Sequence, residues 1–359
     1  MSQEDPEVST FEWTPPGVLS PDPNASAPEP LVPGDLADDL LPTVENRGLT
    51  GAEIVQKVAR EAAAWLRDER CRDAGVAGAL LDLELAAVRE AHAWRAPVAR
   101  FFASLARVAT RTPVDGGPAL REALGDECAA WSEAPSDRLP DRSRCAASLL
   151  DADPLQPATG LESGEMILIH GWSETVARAV ELACARGIKP HLIVSEGGPD
   201  LGGRRLARRL VASGLSVDFI YDAALVDACR RVDRIWLGTE AIGVDGLVAR
   251  VGTHGLLSHA RELGVPAVVI ATGDKLLEDG VATELPTWAA EEPWHLWEGA
   301  PEGVRVDSQS FERVPLELPS LFALEGELIG STDMLRRVGG ARGRRPLEVT
   351  SPGLSIQPS

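Results

Sequence analysis

Lysine is nearly missing from this chain, with Lys57, Lys189 and Lys275 the only three in 359 residues. Basic residues as a class are outnumbered, 35 Lys and Arg against 55 Asp and Glu, for a net charge of −20. A mean field of that sign repels phosphate backbones and anionic lipid, so direct nucleic-acid or membrane-surface binding is not expected, while a local basic pocket stays open. Cysteine is sparse and scattered: Cys71, Cys128, Cys145, Cys184 and Cys229 form no CxxC pair. That pattern suits reduced thiols in a cytoplasm and argues against a disulfide framework or a zinc site. No apolar run is long enough to span a bilayer. The opening MSQEDPEVST is acidic and polar, unlike a secretory signal. The six histidines are too dispersed to propose a metal site, and no cofactor is expected.

What is present is a soluble-globular composition, 44% hydrophobic and 25% charged, with length for about two domains. Residues 1–48 are rich in Pro, Ser, Asp and Glu, with Arg47 the sole basic residue, and are expected to be disordered. The small cluster Leu36, Leu40 and Leu41 falls within that stretch. Order is expected from Thr50, where Thr50-Gly-Ala-Glu53 makes a capping box ahead of Ile54, Val55, Val58, Ala62 and Leu66 at helical spacing. Further helices are expected over 76–94, 97–109 and 118–131, giving a helical domain and linker over 49–150. Residues 136–163 read as a polar linker with a short helix near 143–150.

From Glu165 onward the pattern becomes strand, loop, helix, repeated. Strands are expected near 166–170, 191–195, 216–221, 234–238 and 267–271, and helices near 174–186, 202–213, 223–231 and 252–263. Gly187, Gly214 and Gly264 sit where C-terminal caps are wanted. Such alternation implies a parallel sheet covered on both faces, a ligand-binding α/β domain over 151–330. A further strand is expected around 304–311. Trp288, Trp294 and Trp297 cluster in an irregular stretch as packing anchors or a partner contact. Residues 331–359 are expected to be a flexible tail.

Ligands of open parallel sheets bind at the carboxyl ends of the strands. Those ends carry His170, Gly171 and Ser173; Glu196, Gly197, Gly198, Arg204 and Arg205; Tyr221 and Asp222; Thr239, Glu240, Asp245, Arg250 and Thr253; and Thr272, Asp274 and Lys275. The glycine-rich Gly197–Gly203 lacks the Lys-Ser/Thr of a P-loop and the spacing of a dinucleotide fingerprint. Helix N-termini beside arginines suit a phosphate, although Arg204 and Arg205 could equally make surface salt bridges. Glu240 could be a base, a ribose-hydroxyl acceptor or a helix-capping carboxylate.

Four ordered blocks, ILIHGWSETVARAVELA, IVSEGGPDLGGRRLARRLVASGLSVDFIYDAAL, VDRIWLGTEAIGVDGLVARVGTHGLLSHARELGVPAVVIA and VRVDSQSFERVP, carry a family resemblance. With the helical start near Leu49, residues 49–328 resemble the alpha, beta and delta subunits of translation initiation factor 2B. That family also includes ribose-1,5-bisphosphate isomerase and methylthioribose-1-phosphate isomerase. The resemblance implies an α/β fold: an N-terminal helical domain joined to a Rossmann-like (NagB/RpiA/CoA transferase-like) parallel α/β domain. It also implies a homodimer, or pairing with homologous subunits, through the α/β domain, and a phosphorylated small-molecule ligand.

The sequence departs from the isomerase pattern at its reactive positions. There the first strand ends in Thr-His-Cys with a catalytic cysteine; here Gly171 follows His170. The isomerases' Arg-Pro becomes Gly198-Pro199, and their Gly-Ala-Asp becomes Gly238-Thr239-Glu240. Glycine has no thiolate or proton to exchange, and Glu for Asp displaces the carboxylate by a methylene. The resemblance therefore points to a non-catalytic, regulatory or scaffolding protein that binds a sugar phosphate or nucleotide. A phosphopentose isomerase using Glu240, with His170 or Ser173 in the cysteine's place, is the alternative. The ligand-binding set expected on this reading is His170, Gly171, Ser173, Gly198, Arg204, Glu240, Arg250 and Thr253.

Overall fold

The computed structural model describes residues 35–46, 48–68, 77–112, 117–132, 149–151, 159–277, 281–285, 296–307 and 309–339. Among the described residues, six helices make the N-terminal part: α1 (Asp35–Glu45), α2 (Gly51–Arg67), α3 (Ala77–Glu84), α4 (Ala86–His92), α5 (Ala96–Arg111) and α6 (Gly117–Ser132). The Thr50–Glu53 capping box forms in both directions, as its sequence requires. Helices α2, α5 and α6 then bury one apolar stripe each, Ile54, Val58 and Leu66 meeting Phe101 and Leu124 in a single core.

Two stretches expected to lack structure are partly ordered. Within 1–48, residues 35–45 form α1, because Leu36 and Leu40 stand one turn apart and bury against α2, leaving each 1% exposed. The Ala37 N–H also donates to Glu84 across 47 residues at 2.7 Å. Within 331–359, residues 331–339 form α11 (Ser331–Gly339), whose Met334 and Val338 repeat the same spacing into the sheet core. Residues 1–34 and 340–359 lie outside the described residues. So do 133–148 and 152–158, most of the expected linker, although Leu149, Leu150 and Leu161 at its described ends are buried.

The α/β part holds a seven-stranded sheet in the order β10-β9-β7-β4-β1-β2-β3. Its parallel strands β1 (Met166–His170), β2 (His191–Ser195), β3 (Val217–Ile220), β4 (Arg234–Leu237) and β7 (Ala267–Ala271) fall on the expected positions. So do α7 (Glu174–Ala185), α8 (Gly202–Ala212), the short α9 (Leu225–Ala228) flanked by 3-10 turns, and α10 (Thr253–Leu263). The strands alternate between two cores: Leu168, Ile193 and Ile235 face one, and Ile167, Val194 and Trp236 the other. That period of two is what a sheet buried on both faces requires. Gly187, Gly214 and Gly264 close their helices at φ of 82°, 82° and 73°.

Five strands lie off the expected pattern. A tight hairpin, β5 (Ala241–Gly243) and β6 (Gly246–Arg250), follows β4. The strand expected over 304–311 is instead β8 (Phe311–Val314), pairing with β6 in a separate antiparallel sheet. The chain then returns through β9 (Leu321–Leu324), parallel to β7, and β10 (Glu327–Gly330) to the edge of the main sheet. Of the tryptophan cluster, Trp288 and Trp294 lie outside the described residues, and Trp297 is exposed. No helix among the described residues is long and apolar enough to cross a membrane.

Candidate functional site

A cleft opens at the carboxyl ends of β1, β4 and β7, roofed by the start of α2 and by the turn entering α5. His170, Ser173, Glu240, Arg250 and Thr253 line it, five of the expected set. Each is placed by local chain logic. Ser173 caps α7, accepting from the Val176 N–H at 3.3 Å. Thr253 begins α10 directly after Gly252, whose φ is 100°. Glu240 and Arg250 flank the β5–β6 hairpin, so the turn brings residues ten apart in sequence to one wall.

Glu240 is held between two cations that lie outside the expected ligand set. Arg95 Nη1 lies 3.3 Å from one carboxylate oxygen, and Lys275 Nζ lies 3.3 Å from the other. Burial pushes the Glu240 carboxyl up, but Lys275 and Arg95 outweigh it and carry the group down to about 2. It is therefore ionised and neither a helix cap nor poised to accept a proton. Arg95 is itself buried, donates to the Leu49 carbonyl at 3.0 Å and leaves Nε without a partner among the described residues. Its guanidinium stacks on Trp94 and also faces the Phe311 ring.

The same wall continues at Arg250. Its guanidinium packs over the same Phe311 ring at 4.5 Å and pairs with Asp200. Next to it, His170 Nε2 faces the Val251 carbonyl at 2.9 Å and Nδ1 meets Ser195 Oγ at 2.6 Å. A carbonyl can only accept, so Nε2 carries the proton and Nδ1 accepts from the serine hydroxyl. Burial lowers the His170 pKa, with the Val251 carbonyl and Asp222 opposing, so the ring is neutral with both nitrogens used.

Gly171 has φ of 71°, and a Cβ built on it would sit 3.3 Å from Arg250 Cγ. Gly197 approaches so closely that its own Cβ would fall 2.7 Å from the Gly171 Cα. The pair lets the turns after β1 and β2 touch. A side chain at 171, cysteine included, would meet both backbone strain and Arg250.

Three of the expected ligands, Gly171, Gly198 and Arg204, are not among the residues lining the cleft. Gly198 does not line it; its N–H and that of Gly197 donate to the two Asp222 oxygens at 2.7 Å and 2.9 Å. Arg204 is exposed on α8. Its neighbour Arg205 makes the surface pair the sequence reading allowed for, with Glu53, and stacks over Trp172 at 3.9 Å. Lys275 was visible as a strand-end residue. Arg95 had no strand-end signal, because it reaches the cleft from the helical part.

Residues 148–290 match the model described as the Initiation factor 2 subunit family. That match covers less than half of the chain. The ribose 1,5-bisphosphate isomerase of Haloferax volcanii is 34% identical over 120 residues, 33% of this chain and 37% of that protein. Translation initiation factor eIF2B subunit beta of Schizosaccharomyces pombe is 36% identical over 118 residues, 32% of this chain and 30% of that protein. The chain thus spans little more than a third of the curated relatives it matches. The crystal structure of the Pyrococcus horikoshii translation initiation factor eIF-2B superposes with a TM-score of 0.62 at 21% identity, covering 85% of this chain and 100% of that one. That likeness is one of fold. The matched stretch contains β1 through β7 and hence His170, Glu240, Arg250 and Lys275, but neither Arg95 nor Phe311.

Proposed function

We propose that this chain is an initiation-factor-2B-like protein that binds a sugar phosphate or nucleotide in the cleft without turning it over, in a regulatory or scaffolding role. The observation that carries the reading is the state of Glu240. Aldose–ketose isomerisation needs a group that takes and returns a proton near neutral pH. A carboxyl held near 2 by Lys275 and Arg95 is a weak base, and Gly171 offers nothing to replace it. His170 has no free nitrogen. The α7 N-terminus and the cations remain, which is binding chemistry. Homologous-subunit or self-pairing through the α/β domain and a cytoplasmic setting belong to the same reading. The described cysteines Cys128, Cys184 and Cys229 are all free thiols, which suits that compartment.

The test is direct. The protein should raise its thermal midpoint with a phosphorylated pentose or nucleotide and show no isomer formation from ribose 1,5-bisphosphate or methylthioribose 1-phosphate. The isomerase reading is favoured by the 34% identity to a protein named for that activity. Turnover that vanishes in Glu240→Gln would establish it and end the non-catalytic reading.

A further inference from the structure

Phe311 starts β8, and the β6–β8 ladder sets it directly across from Arg250. The Val251 N–H donates to the Ser310 carbonyl at 3.1 Å, and Gln309 Nε2 donates to the Phe311 carbonyl at 2.7 Å, which fixes the backbone around the ring. The ring is 6% exposed and packs against Trp94, centroids 4.6 Å apart, in a small cluster with Ala96, Ala241 and Val248. An ordinary core phenylalanine needs no more than that. Two guanidiniums also face this ring, Arg250 at 4.5 Å and Arg95 at 5.5 Å from its centroid. They arrive from different parts of the chain, Arg95 from the residue that precedes α5 and Arg250 from the end of β6. Phe311, Arg95 and Arg250 all line the cleft, together with Lys275.

Two guanidiniums gathered on one buried ring repel each other. Burial lowers the Arg95 pKa, Glu240 opposes that, and Arg250 lowers it further. Glu240 and Asp200 offset part of the charge. The ring supplies a different attraction, because the π face of an aromatic carries negative potential. A further carboxylate in its place would also hold both arginines, but it would cancel their charge and take up their N–H donors. A phenyl ring does neither. Arg95 Nε indeed has no partner among the described residues. Guanidiniums kept charged, with donors free, are what grips a phosphate.

Resting on the phosphate-binding reading above, we infer that Phe311 is a positioning residue whose ring holds Arg95 and Arg250 together as one clamp for the ligand's phosphate group. The small antiparallel sheet then has a task beyond covering the core. Its register carries an aromatic to the side of Arg250, where the turn before α5 can bring Arg95 onto the same ring.

The test is a titration of the full chain with ribose 5-phosphate and with adenosine monophosphate, and with inorganic phosphate by competition against whichever of the two binds. Phe311→Leu keeps an apolar side chain and removes the π face. It should weaken every ligand that binds by a common factor, on the order of tenfold. Trifluorinated phenylalanine at position 311 keeps the ring's shape while draining its π face. It should weaken the same ligands by less, with the thermal midpoint of the unliganded protein little changed. A ring that serves packing alone would lower the midpoint in Phe311→Leu and leave affinity as it was in both variants, which would overturn the positioning role. So would a loss seen with ribose 5-phosphate or adenosine monophosphate but not with inorganic phosphate, since the ring would then act on the sugar directly. Either result leaves the phosphate-binding reading standing. No response of the wild-type protein to any of the three ligands would overturn both. The fluorinated ring decides the matter even where Phe311→Leu folds poorly.

Discussion

Glu240 is better understood as half of a charge pair than as a reactive group. Arg95 and Lys275 are 3% and 8% exposed, so removing the carboxylate between them strands buried cations. Glu240→Gln is expected to cost about 3–5 kcal/mol in urea unfolding at pH 7, the range for breaking a buried pair. The pH dependence follows from the sign of the shift. A carboxyl lowered from 4.5 to about 2 contributes stability that is complete above its unfolded value. The contribution fades as pH falls from 4.5 toward 2. The gap between wild type and Glu240→Gln should therefore narrow across that window and stay constant above it. At the neighbouring turns the glycines make a graded pair. Gly171→Ala is expected to cost about 1–2 kcal/mol for its left-handed backbone. Gly197→Ala should cost more, because its Cβ meets backbone at 2.7 Å where that of Gly171 meets a flexible arginine stem at 3.3 Å. Paired denaturation curves would read the order.

At the scale of elements, α8 leans on β2 through one missing side chain. A Cβ on Gly203 would lie 1.8 Å from the Ser195 carbonyl oxygen, so Gly203→Ala must push the helix off the strand. That change should cost more than either turn glycine, and amide exchange should quicken along Gly202–Ala212. Helix α1 invites a similar test. Leu40→Ala removes a side chain that is 1% exposed and should lower stability by about 2–5 kcal/mol. Leu41→Ala, on the solvent face at 46% exposure, should change little. The contrast explains what was legible in the sequence. The central strands announce themselves because both faces are buried, so runs such as Met166–Ile169 are apolar throughout. Helix α1 does not, since two leucines in an acidic, proline-bearing stretch become informative only once α2 is there to receive them. The same holds for the site. His170, Ser173, Glu240, Arg250 and Thr253 could be found because strand ends are readable. Arg95 could not, as its side chain crosses from a helical turn to pair with a residue 145 positions later. Phe311 went unread because an aromatic at a strand start looks like ordinary core until two guanidiniums are seen against its ring.

For the molecule as a whole, the charge of −20 and the cations lining the cleft pull an anionic ligand in opposite directions. The long-range repulsion is screened over a Debye length of about 8 Å at physiological salt, whereas the enclosed contacts are screened far less. If the cleft binds phosphates as proposed, association should therefore speed up as salt rises from low to physiological ionic strength. Dissociation should change less; stopped-flow traces across that range would measure both. The placement of Arg95 has a consequence of a different kind. Half of the cation pair around Glu240 belongs to the helical part, while the carboxylate and Lys275 belong to the α/β part. An evolutionary exchange of the helices would rewrite what the cleft accepts without altering one residue of the sheet, so ligand preference in such a chain is free to drift faster than its fold.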